Sequence, residues 1–338
     1  MFAGGILSIA VVISCYPSVA IEPECYMTLP EVARYYGYPS EVHLVTTKDD
    51  YILELHRIPH GKDNADEERP VVFFQHGVFS DGFCWGANLP DQSSVFVFAD
   101  AGFDVWVGNS RGTPPSQKHI GFGPEEKRFW NFTWQDMAAV DLTASINLVL
   151  KTTKQFLLNR IPNTPLALPK IIQKFISYFC SLSMAKGVCS LDVGFIDGSE
   201  ELLNRTRLGL YLCHIPAATS SKNLLHWVQA VKSQKFEKFD YGAKGNVLEY
   251  GQITPPTYDL SKIRVPTYLF WSKDDILADT QDIRYTILAS MNATVQGNFQ
   301  LPHYSHIDFI FAANATDDIY RPIIAEIRKD LRLRNNRI

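Results

Sequence analysis

Regular alternation of apolar and polar positions begins near residue 28. Residues 28–40 have the apolar spacing of a helix. The stretches Glu41–Thr47 and Tyr51–Pro59 alternate with period two around a polar Lys48-Asp49-Asp50 turn, which predicts two antiparallel strands entering a larger sheet. After a polar loop over 60–69, Val71-Val72-Phe73-Phe74 is a continuous apolar run, the pattern of a strand buried on both faces. A short helix over roughly 93–101 feeds a second such strand, Phe103–Val107. Thr133-Trp-Gln-Asp136 has the form of a capping box, and Trp134, Met137, Ala138, Leu142, Leu148 and Val149 share one side of a helix running to about Leu150.

A helix in that position should carry the chain to another parallel strand. Instead, Lys154–Cys180 has three prolines and no β-branched run and reads as loop and lid helices, and the region to about 250 reads as mostly helical and irregular, with a helix over Asn223–Val231. Sheet character returns at Pro266–Trp271. A helix from about Thr280 to Ser290, a strand at Val295–Leu301, the loop Pro302–His306 and a closing helix complete the chain. This order predicts an α/β fold with a mostly parallel sheet and an inserted helical cap.

Composition narrows the function. Hydrophobic residues make up 46% of the 338, charged residues 20%, and the net charge is −4, so the chain offers no basic field for nucleic acid. The apolar run Ile6–Ile13, followed by Ser18-Val19-Ala20, reads as a secretory leader cut after Ala20, and no later stretch is long and apolar enough to span a bilayer. Sequons at Asn131, Asn204, Asn292 and Asn314 agree with entry into the secretory route. Removal of Cys15 with the leader leaves Cys25, Cys84, Cys180, Cys189 and Cys213. Cys180 and Cys189 are close enough in sequence to pair, and at least one of the others stays free or pairs outside the chain. No C-x-x-C pair or histidine cluster suggests a metal site.

Two motifs suggest chemistry. Gly108-Asn109-Ser110-Arg111-Gly112 is the one G-x-S-x-G, the pattern that in serine hydrolases presents a nucleophile on a sharp strand-to-helix turn. His76-Gly77 ends the Val71 strand, where the next backbone N–H can face a developing oxyanion; a plain strand-end turn is the alternative.

In combination the residues resemble the acid lipases, the family of gastric and lysosomal lipases that hydrolyse triacylglycerols and cholesteryl esters. The resemblance rests on Phe74-Gln-His-Gly77, the run Ala99–Gly112, Phe129-Trp130 with Trp134–Leu142, His226–Ser233, Phe239–Gly242, Asp275-Ile-Leu-Ala-Asp279 and His306-Ile-Asp-Phe309. It implies an α/β-hydrolase fold in which residues 21–153 and 261–338 form the core and 154–260 the cap. It also implies a neutral lipid or lipid surface as partner and no cofactor. Asp275 matches the family's acid, with Asp274 as competitor; His306 matches the base, with His303 as competitor; Val78 matches a backbone oxyanion donor.

Ser110 does not match the family's nucleophile. That serine stands in a Gly-His-Ser-x-Gly elbow directly after the helix that ends here near Leu150, and family members carry the GNSRG stretch in addition. This sequence has no Gly-His-Ser-x-Gly, and Pro114-Pro115 soon after Ser110 bars the helix an elbow needs. The resemblance therefore implies that the elbow strand, its helix and the next strand, a unit of at least ~30 residues, are missing near Thr153/Lys154. Three readings stand: an acid-lipase-type chain that keeps acid and base but is inactive without its nucleophile; a secreted lipid-binding pseudoenzyme; and a working hydrolase that uses Ser110 or another serine.

Overall fold

A computed structural model describes residues 22–63, 69–155, 202–291 and 293–335. The leader, Asn292 and the Cys180–Cys189 pair fall outside these residues. Helix α1 (Leu29–Tyr35) starts at Thr28, whose N–H donates to Glu31 Oε2 at 2.7 Å in a capping box, and buries Leu29, Val32 and Ala33. It is shorter than the 28–40 expected because Tyr36 leaves the helical conformation and Gly37 turns the chain at φ +83°.

Strands β1 (Glu41–Thr46) and β2 (Tyr51–Ile58) form the expected antiparallel pair, with Glu41 opposite Arg57. β3 (Val71–Gln75) lies parallel to β4 (Asp104–Gly108), and the first sheet runs β1-β2-β4-β3, with the short β5 (Lys118–His119) paired to β2. Along β4 the side chains alternate between two cores. Val105 and Val107 join Phe96, Phe98, Tyr211 and Phe311 on one face, while Trp106 joins Tyr51, Leu53, Leu55, Phe129 and Phe132 on the other. Helix α2 (Ser94–Asp100) supplies Val95, Phe96, Phe98 and Ala99 to the first core. Helix α3, contiguous through Trp134–Asp136, the π turn Met137–Asp141 and Leu142–Gln155, covers the second core through Val149. The capping box at Thr133 is present, with its N–H on Asp136 Oδ2 at 2.7 Å.

The run Val71–Phe74 differs from expectation. It forms a strand, but Val71 and Gln75 are exposed and the residues between them only half-buried, because β3 has β4 on one side and no strand among the described residues on the other. A second sheet holds β6 (Thr267–Ser272) parallel to β7 (Val295–Leu301), and β6 likewise has one partner strand among the described residues. Among the described residues the sheet is thus mixed and divided.

After residue 207 come the helices α4 (Leu208–His214), α5 (Ser221–Ser233) and α6 (Gly242–Tyr250), among others. A disulfide joins Cys25 to Cys213 across α4, and Cys84 is a buried free thiol. The C-terminal helix, contiguous through Thr316–Tyr320 and Arg321–Asn335, packs Ile319, Tyr320 and Ile324 into the first core, and Thr316 Oγ1 donates to the Asp91 carbonyl at 2.8 Å. Among the sequons, Asn131 and Asn314 are exposed, and Asn204 is half-buried with its amide donating to Gln92 Oε1. No described helix is long and apolar enough to cross a membrane.

Candidate active site

The candidate residues follow the carboxyl ends of the parallel strands, where α/β sheets place their ligands. Asp275 lies just beyond β6 and is buried at 6% exposure. Its Oδ1 accepts from the N–H groups of Leu277 and Ala278 at 2.9 and 2.8 Å. His306 lies in the loop after β7, with Nδ1 3.1 Å from Asp275 Oδ2 and 3.2 Å from Oδ1, and its side chain is 46% exposed. Burial pushes the Asp275 carboxyl up, but the His306 ring and the two backbone N–H groups outweigh it and leave the acid below its ordinary value. The geometry is that of a carboxylate orienting an imidazole through Nδ1.

The competitors form a second pair of a different kind. His303 is 84% exposed, its Nδ1 stands 3.5 Å from Asp274 Oδ2, and that oxygen also accepts from the His303 N–H. Asp274 and Asp275 are neighbours in sequence, yet only Asp275 is buried, and it accepts two backbone N–H groups where Asp274 accepts one. The loop that carries both histidines is fixed by Tyr304, whose hydroxyl donates to Asp318 Oδ2 at 2.8 Å, and by Asp308, whose Oδ2 accepts from the Ser305 N–H. Sequence reasoning passed over both residues; the cue was an aromatic flanked by the two histidines.

Ser110 lies elsewhere in the hydrogen-bond network. Its Oγ accepts from Gln75 Nε2 at 3.0 Å, its N–H donates to His76 Nε2 at 3.1 Å, and its carbonyl accepts from Thr113 Oγ1 at 2.7 Å. None of these bonds goes to His306. After Gly112 the chain makes only the short turn Pro114–Ser116, as the two prolines predict. Val78 follows β3 and is exposed, in the loop that His76 begins. Nδ1 of His76 donates to the Gly77 carbonyl at 2.8 Å, and burial lowers this ring to about 4, so it is neutral. Among the described residues no group of three or more His, Cys, Asp or Glu could hold a metal.

A mixed sheet and a parallel pair of late strands, flanked by helices and with an acid–imidazole pair beyond the late strands, define an α/β-hydrolase. The crystal structure of Acinetobacter baumannii Lip1 shares the fold at TM-score 0.51 and 14% identity, covering 92% of this chain and 99% of that one. A family model described as a partial alpha/beta-hydrolase lipase region matches residues 29–89. Lipase lipl-1 of Caenorhabditis elegans is 36% identical over 92% of this chain and 93% of its own length. Bovine gastric triacylglycerol lipase is 35% identical over 92% and 94%. Human lysosomal acid lipase/cholesteryl ester hydrolase is 36% identical over 92% and 93%. The chain belongs to the acid lipase family. These matches span 379, 374 and 375 positions, more than the 338 residues of the chain, so the relatives carry residues inside the matched span that have no counterpart here.

Proposed function

We propose that this chain is an acid-lipase-family protein that retains the orienting acid Asp275 and the base His306 but has no nucleophilic serine to pair with them, and that it does not turn over lipid esters at an enzyme's rate. The observation that carries this reading is the hydrogen bonding of Ser110, which holds the serine on Gln75 and His76 while the acid–base pair stands beyond the second sheet. Two further findings support it. Among the described residues β3 and β6 each have a single partner strand, as loss of a central strand–helix–strand unit would leave them, and the relatives have extra residues within the matched span.

In an intact site His306 would take the serine proton and return it to the leaving alcohol, Asp275 would steady the imidazolium, and the Val78 N–H would meet the oxyanion. Without the serine, turnover falls by ~10⁶, and ~10³ to 10⁴ over water survives from the oxyanion hole and binding. The substrate class carried over from the relatives is a neutral-lipid ester. Their gastric and lysosomal names support a secretory route; a cleaved leader, 154–260 as cap and sugar on the exposed sequons Asn131 and Asn314 belong to the same proposal and rest on the sequence.

A second reading, a lipid-binding pseudoenzyme, is favoured by the apolar surface next to the acid in sequence, where Ile276 and Leu277 are 73% and 60% exposed. Fluorophosphonate labelling followed by ester assay separates the readings. No labelled serine and no hydrolysis of a long-chain ester support the first, and saturable ester binding on top of that supports the second. Near-enzyme rates abolished by Ser110→Ala overturn both.

A further inference from the structure

We propose that the Gly108–Gly112 turn is a positioning element, a clamp that holds both ends of the His76–Gly82 loop and so fixes where the Val78 N–H points. This rests on the reading of Val78 as the oxyanion donor. The turn makes one attachment at each end. At the near end, the Ser110 N–H donates to His76 Nε2 at 3.1 Å while the same ring donates from Nδ1 to the Gly77 carbonyl at 2.8 Å, a pattern that one neutral tautomer satisfies at both nitrogens. Gln75 adds a bond from Nε2 to Ser110 Oγ at 3.0 Å. At the far end, Asn109 Oδ1 accepts from the Gly82 N–H at 2.8 Å, and its Nδ2 donates to the Glu54 carbonyl on β2 at 2.9 Å.

The packing leaves no latitude at the far contact. A Cβ on Gly82 would stand 2.7 Å from Val107 Cγ1 and 2.9 Å from Asn109 Oδ1, so the approach requires glycine. The turn is itself immobilised. Its carbonyls at Asn109 and Ser110 accept from Ser116 Oγ and Thr113 Oγ1, and the Arg111 N–H donates to Asp141 Oδ2 on α3 at 3.0 Å. Between the two attachments, Val78 and Phe79 are exposed, Phe79 sits at φ +59°, and its carbonyl accepts from the Ala217 N–H at 2.6 Å, so the middle of the loop is tied down from a second side as well. A catalytic backbone donor must be held to within about half an ångström; the turn supplies the restraint at both ends of the loop, and the Ala217 contact supplies it at the middle. The motif that resembles a nucleophile elbow thus acts through the loop beside it.

The experiment is hydrogen–deuterium exchange of the full chain, read on peptides covering 76–82, for the wild type, Asn109→Ala, His76→Leu, His76→Gln and Ser110→Ala. Asn109→Ala and His76→Leu should speed exchange in 77–81 by tenfold or more, with peptides from β2 and β4 unchanged. His76→Gln, which keeps an acceptor, should lie between, and Ser110→Ala, which keeps the backbone bond to His76, should change little. The residual hydrolysis of an activated short ester should fall by ~10² to 10³ in the first two variants at unchanged KM, the loss typical of a misplaced oxyanion donor. Unchanged loop exchange in the folded variants, or acceleration spread equally over the chain, overturns the clamp. If Asn109→Ala does not fold, His76→Leu and Gly82→Ala decide the same question. If the wild type shows no residual hydrolysis above buffer, the assignment of Val78 fails while the exchange data still decide the clamp.

Discussion

Nδ1 of His306 lies 3.1 Å from Oδ2 of Asp275, and the adjacent Asp274 pairs instead with His303 at 3.5 Å on the surface. Because Asp275 also accepts two backbone N–H groups, most of its contribution to stability comes from the turn it braces. Asp275→Asn should cost about 1–3 kcal/mol, and His306→Ala, at a half-exposed ring, less than about 1 kcal/mol. The acid lies below its ordinary value of 3.8, so its stabilisation is present above that pH and is lost as pH falls through the lowered value. Urea midpoints of wild type and Asp275→Asn should therefore differ at pH 6 and converge on acidification.

Two groups at the ends of the His76–Gly82 loop should make stability insensitive to mild acid. Burial lowers His76 to about 4, so its contribution is present above the ordinary 6.5 and is lost as pH falls toward 4. Burial raises Asp81 to about 6 against the Phe83 N–H and His56, so its contribution is present below 3.8 and is lost as pH rises through 6. The slopes oppose between about 4 and 6. Asp81→Asn should raise the Tm above pH 6, the gain vanishing near pH 4, and should leave a protein that loses stability on acidification; thermal scans across pH 4–7 measure both.

Arg111 is fully buried, with its guanidinium on Asp141 and Asp49 and over the Tyr51 ring at 4.0 Å. Arg111→Ala strands the buried Asp141 carboxylate and should cost about 3–5 kcal/mol. Arg111→Lys should not restore it, because a point charge cannot serve both carboxylates and stack on Tyr51. Denaturant melts of the two variants check the ranking.

The Cys25–Cys213 bridge closes a sequence separation of 188 residues. Loop entropy at that length gives an upper value of about 5 kcal/mol. Cys213→Ser should lower the midpoint by about 2–5 kcal/mol, and a non-reducing peptide map should recover Cys25 linked to Cys213 with Cys84 as free thiol.

Local features were the legible ones. Strand β7 falls on the expected residues, Val295–Leu301, and the Thr133 capping box is present, because alternation and caps are written in neighbouring residues. The Asp275–His306 pair was reached through family resemblance and is seen in contact. What eluded sequence depends on partners far along the chain. Val71–Phe74 has the composition of a central strand but has one partner strand among the described residues, since composition records the neighbour a strand is suited to and not the one present. The Cys25–Cys213 bridge and the Asn109–Gly82 contact join distant segments, so no local spacing announces them.

The most direct measurement is fluorophosphonate labelling of the purified full chain with mass-spectrometric identification of the modified residue, beside a triacylglycerol hydrolysis assay. The account predicts no labelled serine and turnover ~10⁶ below that of an intact acid lipase. A single labelled serine whose replacement by alanine, like that of His306, abolishes near-enzyme turnover would contradict it.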